Sequence, residues 1–281
     1  MEEIVFLLND IKLIKSLDCD SFLIPVDSLS TRSMFEYSLK EIENIKNNTD
    51  KNIYLLCDAI ILETRKNEVI DLFPKLINLC DKIFFADFIY YEEALKLNML
   101  NKLVFYSPTL AVSKEDINTW KKLGLNHIIV SKECEYTGYI SILNNVKDLN
   151  LGMLALGYPQ IYYSKRKMLT SYKKEYEDVQ LDNFDNLTIV ERTREMKMPI
   201  YEDKNGTFIF AGEVFFAGVY LKEFKDLGMK YFIIDPTFIN EDKVLIDMVK
   251  AGLNGKELKI SINKDVSTFM MFKDMVNNYE K

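Results

Sequence analysis

Short apolar runs alternate with amphipathic stretches along most of the chain. Rich in Ile, Val, Phe and Tyr, the apolar runs predict eight β-strands: Ile4–Leu8, Ser21–Pro25, Asn52–Cys57, Lys82–Ala86, Lys102–Tyr106, His127–Ser131, Leu151–Leu156 and Tyr231–Asp235. Four intervening stretches carry apolar residues at spacings of three and four and predict helices: Arg32–Asn47, Asn67–Cys80, Tyr91–Asn98 and Lys114–Leu123.

This alternation of strands and helices predicts a fold of the α/β class. Parallel strands joined by crossover helices produce such a pattern. Runs such as Ile4–Leu8 are apolar throughout, which suits a parallel sheet buried on both faces. Eight strands within 281 residues fit a TIM-like (β/α)8 barrel. We therefore predict a single TIM-like barrel domain over residues 1–281.

The interval between the seventh and eighth predicted strands is too long for one crossover helix. Within it, Asn186–Glu191 and Thr207–Ala211 have the character of short strands, and Asn205-Gly206 is a hairpin signal. We predict a small antiparallel β insertion there, a flap around residues 175–212. The helix that returns to the barrel is predicted at Glu213–Leu227, with Gly228 as its C-terminal stop.

Composition and charge bear on three possible features of the protein: membrane contact, nucleic-acid binding, and disulfide or zinc sites. The chain has no apolar run of the length that a membrane helix needs, and Met1-Glu2-Glu3 lacks the cationic start of a secretory signal, so we expect a cytoplasmic protein with no membrane contact. A formal net charge of -7 means that any contact with nucleic acid needs a local basic patch. The 4 cysteines lie far apart without a Cys-x-x-Cys pair, so they predict neither a disulfide framework nor a zinc site.

Residues 156–172 carry the most informative motif. A small-residue turn at Leu156-Gly157 is followed by aromatic residues, by Ser164-Lys165-Arg166 and by a Leu-Thr-Ser-Tyr sequence. This segment resembles the signature of the collagenase-like peptidases, peptidase family U32, whose members include RNA- and quinone-hydroxylation proteins. The resemblance extends to Ser131-Lys132-Glu133 and to the order Arg194-Glu195, Gly206-Thr207 and a strand that ends in an acidic residue.

The chain departs from the family signature at four positions. Leu156 stands for a His, Gln160 and Lys167 stand for two cysteines, and Phe208 stands for a later His. In the hydroxylation branch, the resemblance implies that those thiols are ligands of an iron–sulfur cluster. We therefore expect this chain to keep the scaffold without the cluster, with no cofactor and no metal ligands.

The predicted catalytic residues are Glu133 and Arg166. Sites of barrels of this type lie at the carboxyl ends of the strands, and Glu133 follows the sixth strand. A carboxylate there can act as a base, as a ligand or as the partner of an arginine, and a structural ion pair with Arg166 or Arg194 is the alternative. Arg166 belongs to the family signature, and its guanidinium can hold a carboxylate or phosphate through two hydrogen bonds.

A second group of residues is predicted to bind substrate. Cationic side chains interleaved with aromatic rings are suited to RNA or to another phosphate-bearing ligand. The group comprises Tyr162, Tyr163, Ser164, Lys165, Lys167, Arg194 and Asp235. A solvated loop balanced by Glu175, Glu177 and Asp178 is the alternative for its basic part.

Four polar residues follow other strands of the predicted barrel. Asp58, Asp87, Ser107 and Asp235 come after the third, fourth, fifth and eighth strands. Clustering around the barrel mouth would favour a functional role. Capping of the next helix is the commoner use of Asp and Ser at such positions.

Several catalytic classes have little support. His127 is the only histidine, it starts a strand, and no Gly-x-Ser-x-Gly or His-Glu-x-x-His motif accompanies it. Cys134 lies beside Glu133, but a lone cysteine there is more often a packing residue. No phosphate-binding loop or Rossmann fingerprint is present.

Three hypotheses follow for the function. The resemblance implies an accessory or substrate-binding subunit in tRNA wobble 5-hydroxyuridine synthesis, which acts with a cluster-bearing homologous subunit and contacts tRNA through the basic loop. The first alternative is a collagenase-like peptidase of unassigned mechanism. The second is a non-catalytic barrel scaffold, which a mouth filled by apolar side chains would favour.

Overall fold

The computed structural model describes residues 2–107, 109–176, 187–191, 196–257, 259–268 and 271. Its strands are β1 (Glu3–Leu7), β2 (Ser21–Pro25), β3 (Asn52–Cys57), β4 (Lys82–Phe85), β5 (Leu103–Phe105), β6 (His127–Ile129), β7 (Asn150–Gly157), β8 (Gln160–Ser164), β9 (Leu187–Val190), β10 (Lys197–Asp203), β11 (Gly206–Phe210), β12 (Val214–Phe216), β13 (Tyr231–Asp235) and β14 (Val266–Ser267). Its α-helices are α1 (Leu39–Asn47), α2 (Lys66–Leu79), α3 (Phe88–Lys96), α4 (Lys114–Lys122), α5 (Tyr136–Asn145), α6 (Met168–Glu175), α7 (Tyr220–Asp226) and α8 (Asp242–Leu253).

Eight parallel strands form a closed barrel. Strands β1 to β7 pair in chain order, and β13 closes the sheet by pairing with both β1 and β7. Each of the eight strands falls on a predicted run, to within two residues at either end. The TIM-like prediction is therefore confirmed. Among the described residues, no helix has the length and apolar character needed to cross a bilayer.

The barrel strands are apolar on both faces because each face meets other side chains. Every residue of β1 and β2 is buried. Inside the barrel, the ring of Tyr54 lies 5.5 Å from that of Phe84 and 6.4 Å from that of Tyr231. The interior is thus a packed core and not a channel, as is typical of this fold.

A polar network closes the amino end of the barrel around His127. Its Nδ1 lies 2.7 Å from Tyr231 Oη, and its Nε2 lies 3.1 Å from Lys82 Nζ. Because an ammonium group can only donate, Nε2 accepts and Nδ1 carries the proton of the neutral ring. Burial, followed by the charges of Lys82 and Lys230, lowers the pKa of His127 to about 3. His127 therefore has a structural position, at the end of the barrel opposite to the mouth.

A second sheet is antiparallel and lies between β7 and β13 in the chain. Its strand order is β8-β11-β10-β9. Lys204 and Asn205 form the turn between β10 and β11, and Gly206 follows with φ +138°. A Cβ at Gly206 would lie 2.0 Å from the carbonyl oxygen of Ser164, so only glycine fits. The predicted antiparallel insertion is confirmed.

The second sheet begins earlier in the chain than residue 175. Its first strand is β8, Gln160–Ser164, which belongs to the signature segment. Residues 177–186 and 192–195 of the predicted flap lie outside the described residues. The assignment of residues 1–281 to a single domain stays a prediction.

Two predicted helices begin later than expected. The prediction of Glu213–Leu227 was wrong in its first half, because β12 pairs antiparallel with the end of β7 and buries its β-branched and aromatic side chains. Helix α7 then ends before Gly228, which has φ +103° as a helix stop. The helix predicted from Arg32 begins only at Leu39, because Ser38 and Glu41 form a capping box at that point.

Candidate functional site

A cavity of about 450 Å³ opens at the carboxyl ends of the barrel strands, and we call it the outer cavity. Residues after β3, β4, β5 and β6 line it, and β8 forms one wall: Asp58, Ala59, Ile60, Ala86, Asp87, Ser107, Thr109, Lys132, Glu133, Gln160, Ile161, Tyr162 and Tyr163. A smaller space of about 50 Å³, the inner compartment, shares Asp58, Ser107, Lys132, Gln160 and Tyr163 with it and reaches Arg32. Of the four polar residues predicted after strands, Asp58, Asp87 and Ser107 therefore cluster in the lining of the outer cavity.

Arg32 and Asp235 form a buried ion pair beside the inner compartment. Arg32 Nε lies 2.7 Å from Asp235 Oδ2, and the two side chains are 7% and 4% exposed. Arg32 Nη1 donates to Thr31 Oγ1 at 3.0 Å and to Gln160 Oε1. Burial opposes the charge of Arg32, but Asp235 and other nearby groups outweigh it and raise the pKa of the guanidinium. Arg32 is thus a fixed positive charge next to the compartment.

The backbone around Asp235 holds its carboxylate in place. Asp235 Oδ1 accepts hydrogen bonds from the Thr237 amide at 3.0 Å and from the Thr237 hydroxyl at 2.5 Å. Gly157 pairs with Asp235 in the barrel and has φ +147°, and a Cβ there would lie 2.6 Å from the Asp235 carbonyl oxygen. Any larger residue at position 157 would push β7 and β13 apart at the mouth, so their close approach requires glycine there.

Asp58 and Asp87 support the loops of the mouth. Asp58 accepts from the Thr31 amide at 2.7 Å and from the Thr31 hydroxyl at 2.6 Å, which fixes the loop that carries Arg32. Asp87 caps α3 by accepting from the Ile89 amide at 3.1 Å, and its other oxygen accepts from the Ile61 amide at 3.0 Å. The capping alternative thus applies to Asp87, although both carboxylates also line the outer cavity.

Glu133 lies at the mouth, as the strand pattern predicted. Its side chain lines the outer cavity, and its carboxylate accepts a hydrogen bond from Lys132 Nζ. Lys132 is the more buried partner, with 10% of its side chain exposed against 32% for Glu133, and it lines both spaces. The ion pair considered for Glu133 is therefore made with its sequence neighbour.

Arg166 lies outside both spaces. It is exposed, after the end of β8, where its amide donates to Ser164 Oγ at 3.2 Å and its carbonyl accepts from Thr207 Oγ1 at 2.8 Å. The structure therefore does not bring Arg166 and Glu133 together in the cavity. Arg194 lies outside the described residues.

The other signature residues divide between the cavity wall and the surface. Tyr162 and Tyr163 line the outer cavity, and Tyr163 stacks on the buried ring of Phe208 with the two ring centroids 5.0 Å apart. Lys165 Nζ lies 6.0 Å from the centroid of the Tyr163 ring, and burial, followed by the charge of Arg65, lowers the pKa of Lys165.

Lys167 is exposed at the start of α6, a helix that the hairpin β10–β11 holds. Glu202 accepts from the amides of Leu169 at 2.7 Å and Thr170 at 3.1 Å, and Thr207 Oγ1 accepts from the Met168 amide at 2.9 Å. A carboxylate at a helix N-terminus stabilises the orphan amides there. The Gly206-Thr207 turn of the family pattern thus positions the last part of the signature segment, where α6 begins.

The departures from the family signature have structural partners. Gln160 is buried at the mouth with its side-chain oxygen bonded to Arg32, and Phe208 packs between the rings of Tyr163 and Tyr201. Within the described ranges, no three His, Cys, Asp or Glu side chains are placed to hold a metal ion.

Neither the thiols nor the imidazole opens into the two spaces. All 4 cysteines are buried, and none of them lines either space. Burial raises the pKa of Cys134 to about 12, so its thiol is protonated and a poor nucleophile. His127 lies at the other end of the barrel, as described above.

The sequence interpretation missed two cations of the site, Arg32 and Lys132. Arg32 was assigned to the start of a helix, whereas it ends the loop that follows β2. Applying the rule of strand carboxyl ends to residues 26–32 would have found it. Lys132 was noted only as the middle residue of Ser131-Lys132-Glu133.

Comparison with known proteins gives a family match and a weak structural similarity. Residues 18–251 match the model described as Peptidase family U32. No curated protein gives a significant match. Among solved structures, the chain is similar to the C-terminal domain of a provisionally assigned chitinase from Desulfitobacterium hafniense DCB-2, with 10% identity, a TM-score of 0.44, and coverage of 92% of this chain and 100% of that chain.

Proposed function

The chain belongs to peptidase family U32, and from this premise we propose that it is an accessory, substrate-binding subunit in the synthesis of 5-hydroxyuridine at the tRNA wobble position. It acts with a homologous subunit that carries the iron–sulfur cluster. The resemblance of residues 156–172 to the family signature supports the reaction class. The residues of the mouth support the division of labour between the two subunits.

The observation that carries this proposal is the contact between Gln160 and Arg32. Gln160 occupies the position of the first family cysteine, and its side-chain oxygen accepts a hydrogen bond from the buried guanidinium. A carboxamide does not replace a thiolate as a ligand of an iron–sulfur cluster. Position 160 is therefore organised for hydrogen bonding to a ligand or to the protein.

A basic and aromatic surface next to the mouth supports contact with RNA. It comprises Tyr162, Lys165, Arg166, Lys167, Tyr172, Lys173 and Lys174, and we call it the signature surface. Tyr162 and Tyr172 are 38% and 49% exposed, and such rings stack on unpaired bases while the cations contact phosphates. This is the kind of local patch that a chain of net charge -7 needs for RNA binding.

The two alternatives have less support. A peptidase that uses Cys or His would need these groups open to the mouth, and in this chain they are buried and line neither space. A scaffold would favour an apolar mouth, whereas Arg32, Lys132 and Glu133 line this one. The lining supports binding of a polar ligand.

The test is a deletion of the gene in its native host, followed by mass spectrometry of tRNA nucleosides. We expect loss of the 5-hydroxyuridine series and its return with the wild-type gene. The double variant Arg166→Ala, Lys167→Ala should fail to restore it, because both side chains are exposed on the signature surface. The double variant Lys75→Ala, Lys122→Ala is the matched control, since it removes two exposed cations from the outer helices α2 and α4.

Two results would contradict the proposal. Unchanged nucleosides in the deletion strain would exclude a role in this modification. Iron bound stoichiometrically to the isolated chain would exclude the division of labour, because the cluster is assigned to the other subunit.

A further inference from the structure

The carboxylates around the inner compartment already have partners. Asp235 is bonded to Arg32 and to Thr237. Asp58 accepts two hydrogen bonds from Thr31, and Glu133 accepts one from Lys132. The acceptors at the mouth are therefore largely engaged with the protein.

The donors around the same compartment are not all engaged. Arg32 uses Nε and Nη1, and no described residue accepts a hydrogen bond from its Nη2. Neither the Tyr106 hydroxyl nor the Ser107 hydroxyl has a hydrogen-bond partner among the described residues, and both side chains line the compartment. Burial raises the pKa of Tyr106, so its hydroxyl stays protonated and able to donate. Arg32 Nη2 can only donate and both hydroxyls can donate, so an acceptor-rich group would satisfy all three.

The size and charge of the compartment restrict that group. Its volume of about 50 Å³ is a few times that of one water on the same measure, about 10–15 Å³. A carboxylate fits this space and a nucleobase does not. Arg32 and Lys132 are already balanced by Asp235 and Glu133, and Asp58 lies close by. A monoanion therefore introduces less uncompensated charge than a phosphate dianion does.

The outer cavity indicates what the rest of the ligand is. Its wall includes the ring of Tyr163 and the apolar side chains of Ala59, Ile60, Ala86 and Ile161. A planar or aromatic group packs well against such a lining. The outer cavity of about 450 Å³ is in the range of small-molecule sites.

We infer that the barrel mouth binds a small planar monocarboxylic acid, with its carboxylate in the inner compartment against Arg32 Nη2, Tyr106 and Ser107 and its body in the outer cavity. One open guanidinium nitrogen and two hydroxyls supply three donors for the two oxygens of a carboxylate. This site shares only Tyr162 with the signature surface, and none of the donors that hold the carboxylate belongs to that surface, so the inference does not depend on RNA binding.

The test is calorimetric titration of the purified chain with benzoate, benzamide and inorganic phosphate. Benzoate should bind at least about tenfold more tightly than benzamide, which has the same shape without the charge. Arg32→Lys and Tyr106→Phe should each weaken benzoate binding by about tenfold, since each removes a hydrogen bond to a charged group. Tyr176→Phe removes an exposed hydroxyl that lines neither space and should leave the affinity unchanged.

Further variants and ligands decide the outcome. If Arg32→Lys fails to fold, Tyr106→Phe and Ser107→Ala carry the test, because each of them removes only a hydroxyl. Absence of saturable benzoate binding, equal affinity for benzamide, stronger competition by phosphate, or insensitivity to the hydroxyl variants would each overturn the inference. The assay contains no RNA, so a failed tRNA experiment and a failed titration are separate results.

Discussion

Acidification is expected to destabilise the fold through His127. The imidazole is buried at the amino end of the barrel, and its pKa is lowered from 6.5 to about 3 by burial, Lys82 and Lys230. In the unfolded chain the ring binds a proton as the pH falls through 6.5, while the folded chain stays neutral there. The unfolded state thus binds more protons below pH 6.5. The contribution of His127 to stability is present in full above that pH and is lost as the pH falls toward 3.

The magnitude follows from the difference between the two states. Each pH unit below 6.5 costs about 1.4 kcal/mol while only the unfolded chain is protonated. Between pH 6.5 and pH 4.5 the loss is at most about 2.7 kcal/mol. Because the ring keeps partial contact with water, we expect about 2 kcal/mol, a sizeable share of the stability of an ordinary domain.

Urea unfolding of the wild type and of His127→Asn measures this loss. The variant loses the hydrogen bonds to Tyr231 and Lys82, so it is less stable at pH 7.5. Its free energy of unfolding should, however, fall less between pH 7.5 and pH 4.5 than that of the wild type. Carboxylates that titrate in this range are common to both proteins, so their effect cancels in the comparison.

A direct titration can refute the reasoning. His127 is the only histidine, so the Cε1–H resonance of the folded chain is assigned without ambiguity. We expect it to keep the shift of a neutral ring from pH 8 to pH 4.5. A titration midpoint near 6.5 in the folded protein, or equal pH dependence of the two unfolding free energies, would show that the ring is not held neutral.

Three further predictions test the second sheet and the thiols. Gly206→Ala should lower the melting temperature more than Gly228→Ala. Both positions have positive φ, but only at Gly206 would the added Cβ meet backbone, at 2.0 Å from the Ser164 carbonyl oxygen. An equal effect of the two substitutions would show that this contact relaxes freely. Thr207→Val should speed amide hydrogen exchange at Met168, since it removes the hydroxyl that accepts from that amide at 2.9 Å. An unchanged exchange rate would mean that other groups hold the start of α6. The native chain should not react with Ellman's reagent at pH 8, because burial raises the pKa of Cys19, Cys80 and Cys134 to about 12; rapid reaction before urea is added would contradict this.

The barrel was predictable because its strands bury both faces. A continuous apolar run as short as Ile4–Leu8 is typical of a strand that is buried on both faces. The Asn205-Gly206 signal identified the hairpin of the second sheet. Helix starts were harder to predict, since the apolar spacing continues across the true boundaries. In the structure, α1 begins after the capping box at Ser38, and α7 begins only after the strand Val214–Phe216.

The site was only partly predictable. The rule of strand carboxyl ends found Glu133 and Asp235, which depend on local strand position alone. Arg32 was missed because the apolar spacing assigned it to the start of a helix, and its partner Asp235 lies 203 residues away in sequence, so no local pattern shows the ion pair. Arg166 was chosen from the motif, and no local pattern shows that the chain turns it away from the cavity after β8.

The hydrogen bond from Arg32 to Gln160 bears on the two positions at which the family signature has cysteines. A Gln160→Cys substitution would remove one of the two acceptors of Arg32 Nη1 and leave only Thr31 Oγ1, and a thiolate formed there would lie next to the charge of Arg32. The other substituted position, Lys167, lies beyond the far end of β8 and is exposed. Introducing both family cysteines would therefore require changes at two sites that are separate in space: a buried position bonded to Arg32 and an exposed position before α6.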